Sequence, residues 1–169
     1  MMLCEKYKEQ FLQPEVRCDT YIGIEIKQVW FAELQLLEKF IDVCNKHGLS
    51  YQLVGGSLLG AIRHKGFIPW DDDVDVGMLR PDYDRFVQLA KNELEAPFFL
   101  QTPLTDPGRN IDYVQIRNSA TTAIDLRYVD DHNTFNQGIF IDIFPIDGVG
   151  SDEVLQKQEK QQQFIRRVY

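Results

Sequence analysis

The sequence predicts an α+β domain in which helices flank a mixed β-sheet. Three observations carry this expectation. Apolar residues recur every three or four positions from about Ile22 to Cys44, the signature of a long amphipathic helix. An Asp-Val-Asp-Val alternation from Asp73 reads as a strand with two chemically different faces. Late in the chain, short strand-like segments alternate with clusters rich in Pro, Gly, Asp and Asn.

Residues 1–20 read as polar and irregular, with Pro14 as a breaker. The long helix then presents Ile26, Trp30, Leu34, Leu37, Ile41 and Cys44 on one stripe and ends at Lys46-His47-Gly48. Tyr51-Gln52-Leu53-Val54 is a short strand running into Gly55-Gly56-Ser57, and Leu58 to Ile62 forms one or two helical turns. The next strand is expected from Asp73 to Met78. Pro81 suits the first turn of a helix that continues to about Glu93. Further strands are expected at Phe98–Gln101, Asp112–Arg117, Thr121–Asp125 and Ile139–Phe144. A last helix is expected to start at Ser151 and to be still running at Tyr169, its apolar side unpartnered.

At 169 residues and 44% hydrophobic, the chain has the material for one real core, so residues 1–169 are read as a single domain. No apolar run approaches the roughly 20 residues of a membrane-spanning helix, and the mixed start lacks the pattern of a secretory signal, which makes a cytoplasmic location the expectation. Three cysteines without a CxxC pair argue against a disulfide framework and a structural zinc site. A formal charge of −8 disfavours nonspecific nucleic-acid binding, which draws its affinity from Lys and Arg on phosphates. Four of the 26 acids fall within Asp71 to Asp75, just downstream of Arg63, His64 and Lys65.

In an extended strand, side chains two apart share a face about 7 Å apart along the strand, so Asp73 and Asp75 converge while Val74 and Val76 point inward. Two facing carboxylates repel unless a cation lies between them, and hard oxygen ligands suit Mg2+ or Mn2+. The plain alternative is a solvated acidic turn. Asp142 is set in Gly138-Ile139-Phe140-Ile141-Asp142-Ile143-Phe144-Pro145. A carboxylate in so apolar a strand needs a partner, either a salt bridge to Arg63 or Arg117 or a cation shared with the Asp pair. Gly55, Gly56 and Ser57 at a helix start offer backbone N–H groups to an anion, although a tight turn capped by Ser57 fits the same residues. Arg63 is placed ahead of Lys65 as a residue for diphosphate oxygens, and Trp70 as a packing surface for a base or for the loop.

The run from Gly55 to Val76, GGSLLGAIRHKGFIPWDDDVDV, resembles the signature of the LicD family. The similarity continues through Arg80–Phe86, Arg117 with Thr121-Thr122, and Gly138–Gly148. Members of that family include bacterial phosphocholine transferases that decorate surface polysaccharides, and fukutin and its relative, which transfer ribitol phosphate. The resemblance implies a nucleotidyltransferase fold and a metal-binding set made of Asp73, Asp75 and Asp142. It also implies metal-dependent transfer of a phospho-alcohol from a CDP-activated donor such as CDP-choline to a hydroxyl of a glycan or glycolipid acceptor, as in lipopolysaccharide or teichoic acid modification. Such an enzyme would be peripheral at the membrane. Family members usually run about a hundred residues further, so a C-terminal portion is expected beyond this core. Nucleotidyl transfer from an NTP to a small alcohol would use the same acids and glycine turn. A noncatalytic calcium- or polysaccharide-binding module is the reading from another class, but the DxDxDG register of a calcium loop is absent.

Overall fold

The computed structural model describes residues 3–109, 111–124, 134–148, 150–154, 156, 157 and 159. The region expected to be irregular instead holds two short helical turns, α1 (Leu3–Lys6) and α2 (Lys8–Phe11), and a hairpin of β1 (Glu15–Arg17) and β2 (Thr20–Ile22). Cys18 and Asp19 form its two-residue turn with φ of 52° and 58°, the left-handed pair that matches the twist of a tight hairpin. Strands of three residues are too short for a readable alternation, which is why the sequence hides them.

The long helix α3 runs from Ile24 to His47, and Gly48 closes it in the left-handed conformation with φ of 62°. Its most deeply buried stripe is Trp30, Glu33, Leu36, Phe40, Val43 and Cys44. Leu34, Leu37 and Ile41, which the sequence placed at the centre, flank that stripe and are only half-buried. This shift of about one position brings an acid, Glu33, to the inside.

After β3 (Gln52–Leu53) comes α4 (Gly55–Arg63), then β4 (Asp75–Leu79), α5 (Arg80–Glu93), β5 (Phe98–Gln101), β6 (Val114–Asn118) and β7 (Ile139–Ile146). Five strands form one mixed sheet in the order β3-β4-β7-β6-β5, with β4 and β7 parallel and the other pairs antiparallel. The expected strand from Asp73 therefore begins two residues late. The cause lies in the preceding loop: the Trp30 indole N–H donates to the Asp71 carbonyl at 2.7 Å, and Trp30 stacks on Phe67 with centroids 4.7 Å apart. This clamp holds the loop to α3, and Asp142 N–H still reaches the Val74 carbonyl at 2.9 Å.

Thr121–Asp125 is not a strand: Thr121 N–H closes a turn onto the Asn118 carbonyl, residues 122–124 are irregular, and Asp125 lies outside the described residues. Asp152–Val154 are helical as expected, while most of the predicted continuation to Tyr169, including Leu155, Gln158 and Ile165, lies outside them.

Alternation along the strands divides the sheet. Val76, Met78, Ile141, Ile143, Val114 and Ile116 face the core built with Leu36, Phe40 and Phe86. The residues between them, Asp75, Asp142, Gln115 and Gln101, are register partners in sequence across four strands and line up on the other face.

Candidate active site

The polar row is the foundation of the site. Asp75 is the register partner of Asp142, Asp142 of Gln115, and Gln115 of Gln101. Gln115 Nε2 donates to Asp142 Oδ1 at 2.6 Å, and Arg117 Nη2 donates to Gln115 Oε1 at 2.7 Å. The Arg117 guanidinium also bonds Gln101 Oε1 and the Gly138 carbonyl. Gln101 Nε2 in turn donates to Asp106 Oδ2 at 2.7 Å. Asp142 thus meets a glutamine amide rather than the arginine that the sequence offered as its salt-bridge partner; Arg117 acts one step removed. Gln101 and Gln115 are fully buried, so each link fixes the next. Sequence reasoning missed both glutamines. Their only signal is the period of two they share with Arg117 and with the strand's apolar residues.

Electrostatics mark the same place. Burial, then repulsion from Asp75, Asp71 and Asp72, pushes the Asp73 carboxyl up to about 6. Asp142 also rises to about 6, chiefly through burial, with the Gln115 bond opposing and Asp73 adding to the rise. Asp75 is raised by burial and then by Asp142 and Asp71. The largest displacement belongs to Glu33, up to about 9, from burial and from the four aspartates Asp73, Asp72, Asp71 and Asp75. Every shift has the sign expected of carboxyls gathered without a counter-ion.

A cavity of about 520 Å3 opens over this cluster, its walls including Glu33, Asp73, Asp142, Tyr113, Arg109 and Arg117. Acids and arginines on one wall are what a metal-bound phosphate ester requires. Burial, followed by repulsion from Arg109, lowers the Arg117 guanidinium to about 10. Among the described residues, no three His, Cys, Asp or Glu side chains form a group that could hold a metal ion as they stand.

The glycine turn abuts the acids from the other side. Gly55 has φ of 54°, and a Cβ there would stand 3.0 Å from Asp75 Oδ2; a Cβ on Gly56 would stand 2.7 Å from Asp71 Oδ2. The two glycines leave a cradle that any side chain would fill. Val54, not Ser57, is the N-cap of α4. Ser57 lies inside the first turn, where its Oγ accepts the Asp75 N–H at 2.8 Å and ties the turn to β4. Leu58 N–H makes the first backbone bond of the helix, to the Val54 carbonyl, leaving the earlier N–H groups at the end nearest the acids.

Arg63 is not brought to this cluster. It ends α4, roughly 12 Å of helical rise from Gly55, is exposed, and donates from Nε to His64 Nε2 at 2.8 Å. Trp70 is likewise exposed and stands edge-on to His64. The cationic residues on the cavity wall are Arg109 and Arg117, positions distant from the glycine turn in sequence. Asp147 forms a two-pronged ion pair with Arg80 at 2.6 and 2.7 Å.

The family model described as LicD/FKTN/FKRP, nucleotidyltransferase domain, matches residues 48–167. The lipopolysaccharide cholinephosphotransferase LicD of Haemophilus influenzae is 38% identical over 120 residues, which are 70% of this chain and 43% of that protein. The ribitol 5-phosphate transferases FKRP of mouse and human are each 49% identical over 53 residues, 31% of this chain and 11% of theirs. The match thus spans less than half the length of these curated relatives.

Proposed function

The chain belongs to the LicD family of nucleotidyltransferase domains, and from that premise we propose that it moves a phosphocholine-like phospho-alcohol from a CDP-activated donor to a hydroxyl of a cell-surface glycan or glycolipid. The observation that carries this reading is the register pairing of Asp75 with Asp142 beneath a cavity whose wall also holds arginines. The relatives' printed activities, transfer of choline phosphate or ribitol 5-phosphate, make phosphoryl transfer the chemistry that these groups would serve.

The carboxylate chemistry of the site suits a hard divalent cation, Mg2+ or Mn2+. All the candidate ligands are carboxylate oxygens, the glycine cradle keeps Asp75 and Asp71 clear of side chains, and buried Glu33 leaves Oε2 without a partner. Asp73, Asp75 and Asp142 would hold the ion. A cation bound there supplies neutralisation of the diphosphate charge as it shifts toward the departing CMP.

The chain's own residues account for the remainder. The acceptor oxygen attacks the phosphorus bearing the alcohol, the phosphorus–oxygen bond to CMP breaks, and CMP leaves with the electron pair. The hydroxyl proton passes to the carboxylate of Asp142, which Gln115 orients through Oδ1. Arg117 holds Gln115 and adds positive charge to the wall. The N–H groups opening α4 would bind a donor phosphate oxygen. Among the described residues no helix is long and apolar enough to cross a membrane, and we propose a cytoplasmic enzyme that meets its glycolipid acceptor at the membrane surface.

Ligand-observed NMR with CDP-choline, CMP and ATP, run with Mg2+ and again with excess EDTA, tests this reading together with an assay of CMP release. Binding of CDP-choline and CMP that disappears in EDTA is the expected result. Binding confined to ATP would favour nucleotidyl transfer instead, and CMP release undiminished by EDTA would remove the metal.

A further inference from the structure

One acid in the cavity wall was assigned no role by the sequence. Glu33 sits on α3 within the stripe Trp30, Leu36, Phe40, Val43 and Cys44, and only 2% of its surface is exposed. Its Oε2 is buried without a hydrogen-bond partner, and among the described residues it forms no ion pair. The side chain lines the same cavity as Asp73 and Asp142.

For folding alone this is a poor choice of residue. A buried carboxyl with an unused oxygen, facing four aspartates, is costly, whereas a glutamine of the same shape would carry no charge and could donate to those carboxylates. The helix is not free to rotate it outward. Trp30, one turn before, is pinned by its bond to the Asp71 carbonyl and its stack on Phe67; Leu36, one turn after, is fully buried in the core. The anchoring that fixes the Asp71–Asp73 loop therefore also fixes Glu33 against it.

We infer that Glu33 is a carboxylate of the cation site, delivered from α3 to face the loop that carries Asp73. The inference rests on the metal-binding reading of the aspartates and adds a ligand from an element outside the strands. A carboxyl aimed into a cavity already rich in acids gains a cationic partner when a divalent cation enters. The role is one that glutamine cannot fill, because its amide is a far weaker ligand for a hard cation than a carboxylate.

The test is Mn2+ binding, followed by electron paramagnetic resonance and titration calorimetry on the full chain, for the unmodified protein, Glu33→Gln, Glu33→Asp and Asp75→Asn. Glu33→Gln is expected to melt at a higher temperature than the unmodified protein in EDTA and to bind Mn2+ at least about tenfold more weakly. Glu33→Asp, which keeps the charge on a shorter arm, is expected to recover part of that affinity. Glu33→Gln binding Mn2+ as tightly as the unmodified protein, while Asp75→Asn does not, would overturn the role of Glu33 and leave the aspartate site standing. Absence of Mn2+ binding by the unmodified protein would overturn both. The melting curve in EDTA shows that Glu33→Gln is folded, so a loss of affinity cannot be ascribed to unfolding.

Discussion

Asp75 and Asp142 are register partners on adjacent parallel strands, 67 positions apart in sequence but side by side on the face of the sheet turned from the core. Burial raises both carboxyls; repulsion from Asp142 adds to the rise of Asp75, and repulsion from Asp73 adds to that of Asp142.

From this pairing it follows that removing a charge relieves the metal-free fold. Asp75→Asn and Asp73→Asn are expected to leave the melting temperature in EDTA unchanged or raised, against the usual direction for a substitution. Mg2+ or Mn2+ at about 100 times its dissociation constant should stabilise the unmodified protein by roughly 2.7 kcal/mol, and both variants should lose most of that gain. Asp72 and Asp73 are both exposed loop residues on the cavity wall, and Asp72→Asn shows whether Asp72 shares in the response. Melting curves with and without EDTA-reversible metal decide it; a response lost only in Asp72→Asn would show that the ligand set is misassigned.

Gln115 couples Asp142 to Arg117, so Gln115→Leu strands a carboxylate oxygen and a guanidinium nitrogen inside the sheet. The expected loss is about 1–3 kcal/mol in chemical denaturation, with activity reduced further because Asp142 is no longer oriented. Gln115→Glu should be at least as harmful, since it sets a third carboxylate beside Asp142 and Asp75. Equal stability of Gln115→Leu and the unmodified protein would show that the relay contributes nothing.

Gly55→Ala combines two costs. Its φ of 54° disfavours any L side chain by about 1–2 kcal/mol, and the new methyl would meet Asp75 Oδ2 at 3.0 Å. Weaker cation binding is expected together with lower stability. Gly48→Ala shares the left-handed backbone but has open space around its Cβ, and it should lower stability without touching cation affinity. Matched affinity losses in the two variants would separate the glycine turn from the site.

The acid cluster also sets the pH dependence of the metal-free protein. Glu33 titrates at about 9 and Asp73 and Asp142 at about 6 in the folded chain, against about 4 for unfolded carboxyls. Between those values the native state binds more protons than the unfolded state, so the stability contributed by these groups falls as pH rises. Differential scanning fluorimetry in EDTA should show the melting temperature dropping from about pH 5 to pH 9, the part above pH 7 being absent in Glu33→Gln. Saturating Mg2+ should flatten the drop, because the ion replaces the protons. A melting temperature that climbs over this range in EDTA would contradict the raised carboxyls.

Much of the site's local grammar was legible in the chain. The glycine turn, the Asp-Val-Asp alternation and the isolated acid of the Ile/Phe strand are short-range patterns, and period-two geometry was enough to put Asp75 and Asp142 on the face opposite Val76 and Ile143. Glu33 escaped notice for a specific reason. Reading the α3 stripe through Leu34 and Leu37 put this acid on the flank, whereas packing buries Trp30, Leu36 and Phe40 and turns Glu33 inward with them. At 100° per residue, a choice of stripe one position off changes which polar residue is inside.

The sequence by itself determined the fold class, the long helix with its glycine cap, the glycine turn at the head of α4, and the acids on one face of their strands, because each follows from backbone geometry over a few residues. Only the tertiary structure decided that β7 inserts beside β4, that Gln115 and Arg117 brace Asp142, that Arg63 stands at the far end of its helix, and that α3 presents Glu33 to the aspartates. Strand order and helix rotation are settled by which apolar faces bury each other best, a sum over contacts distant in sequence that no local pattern contains.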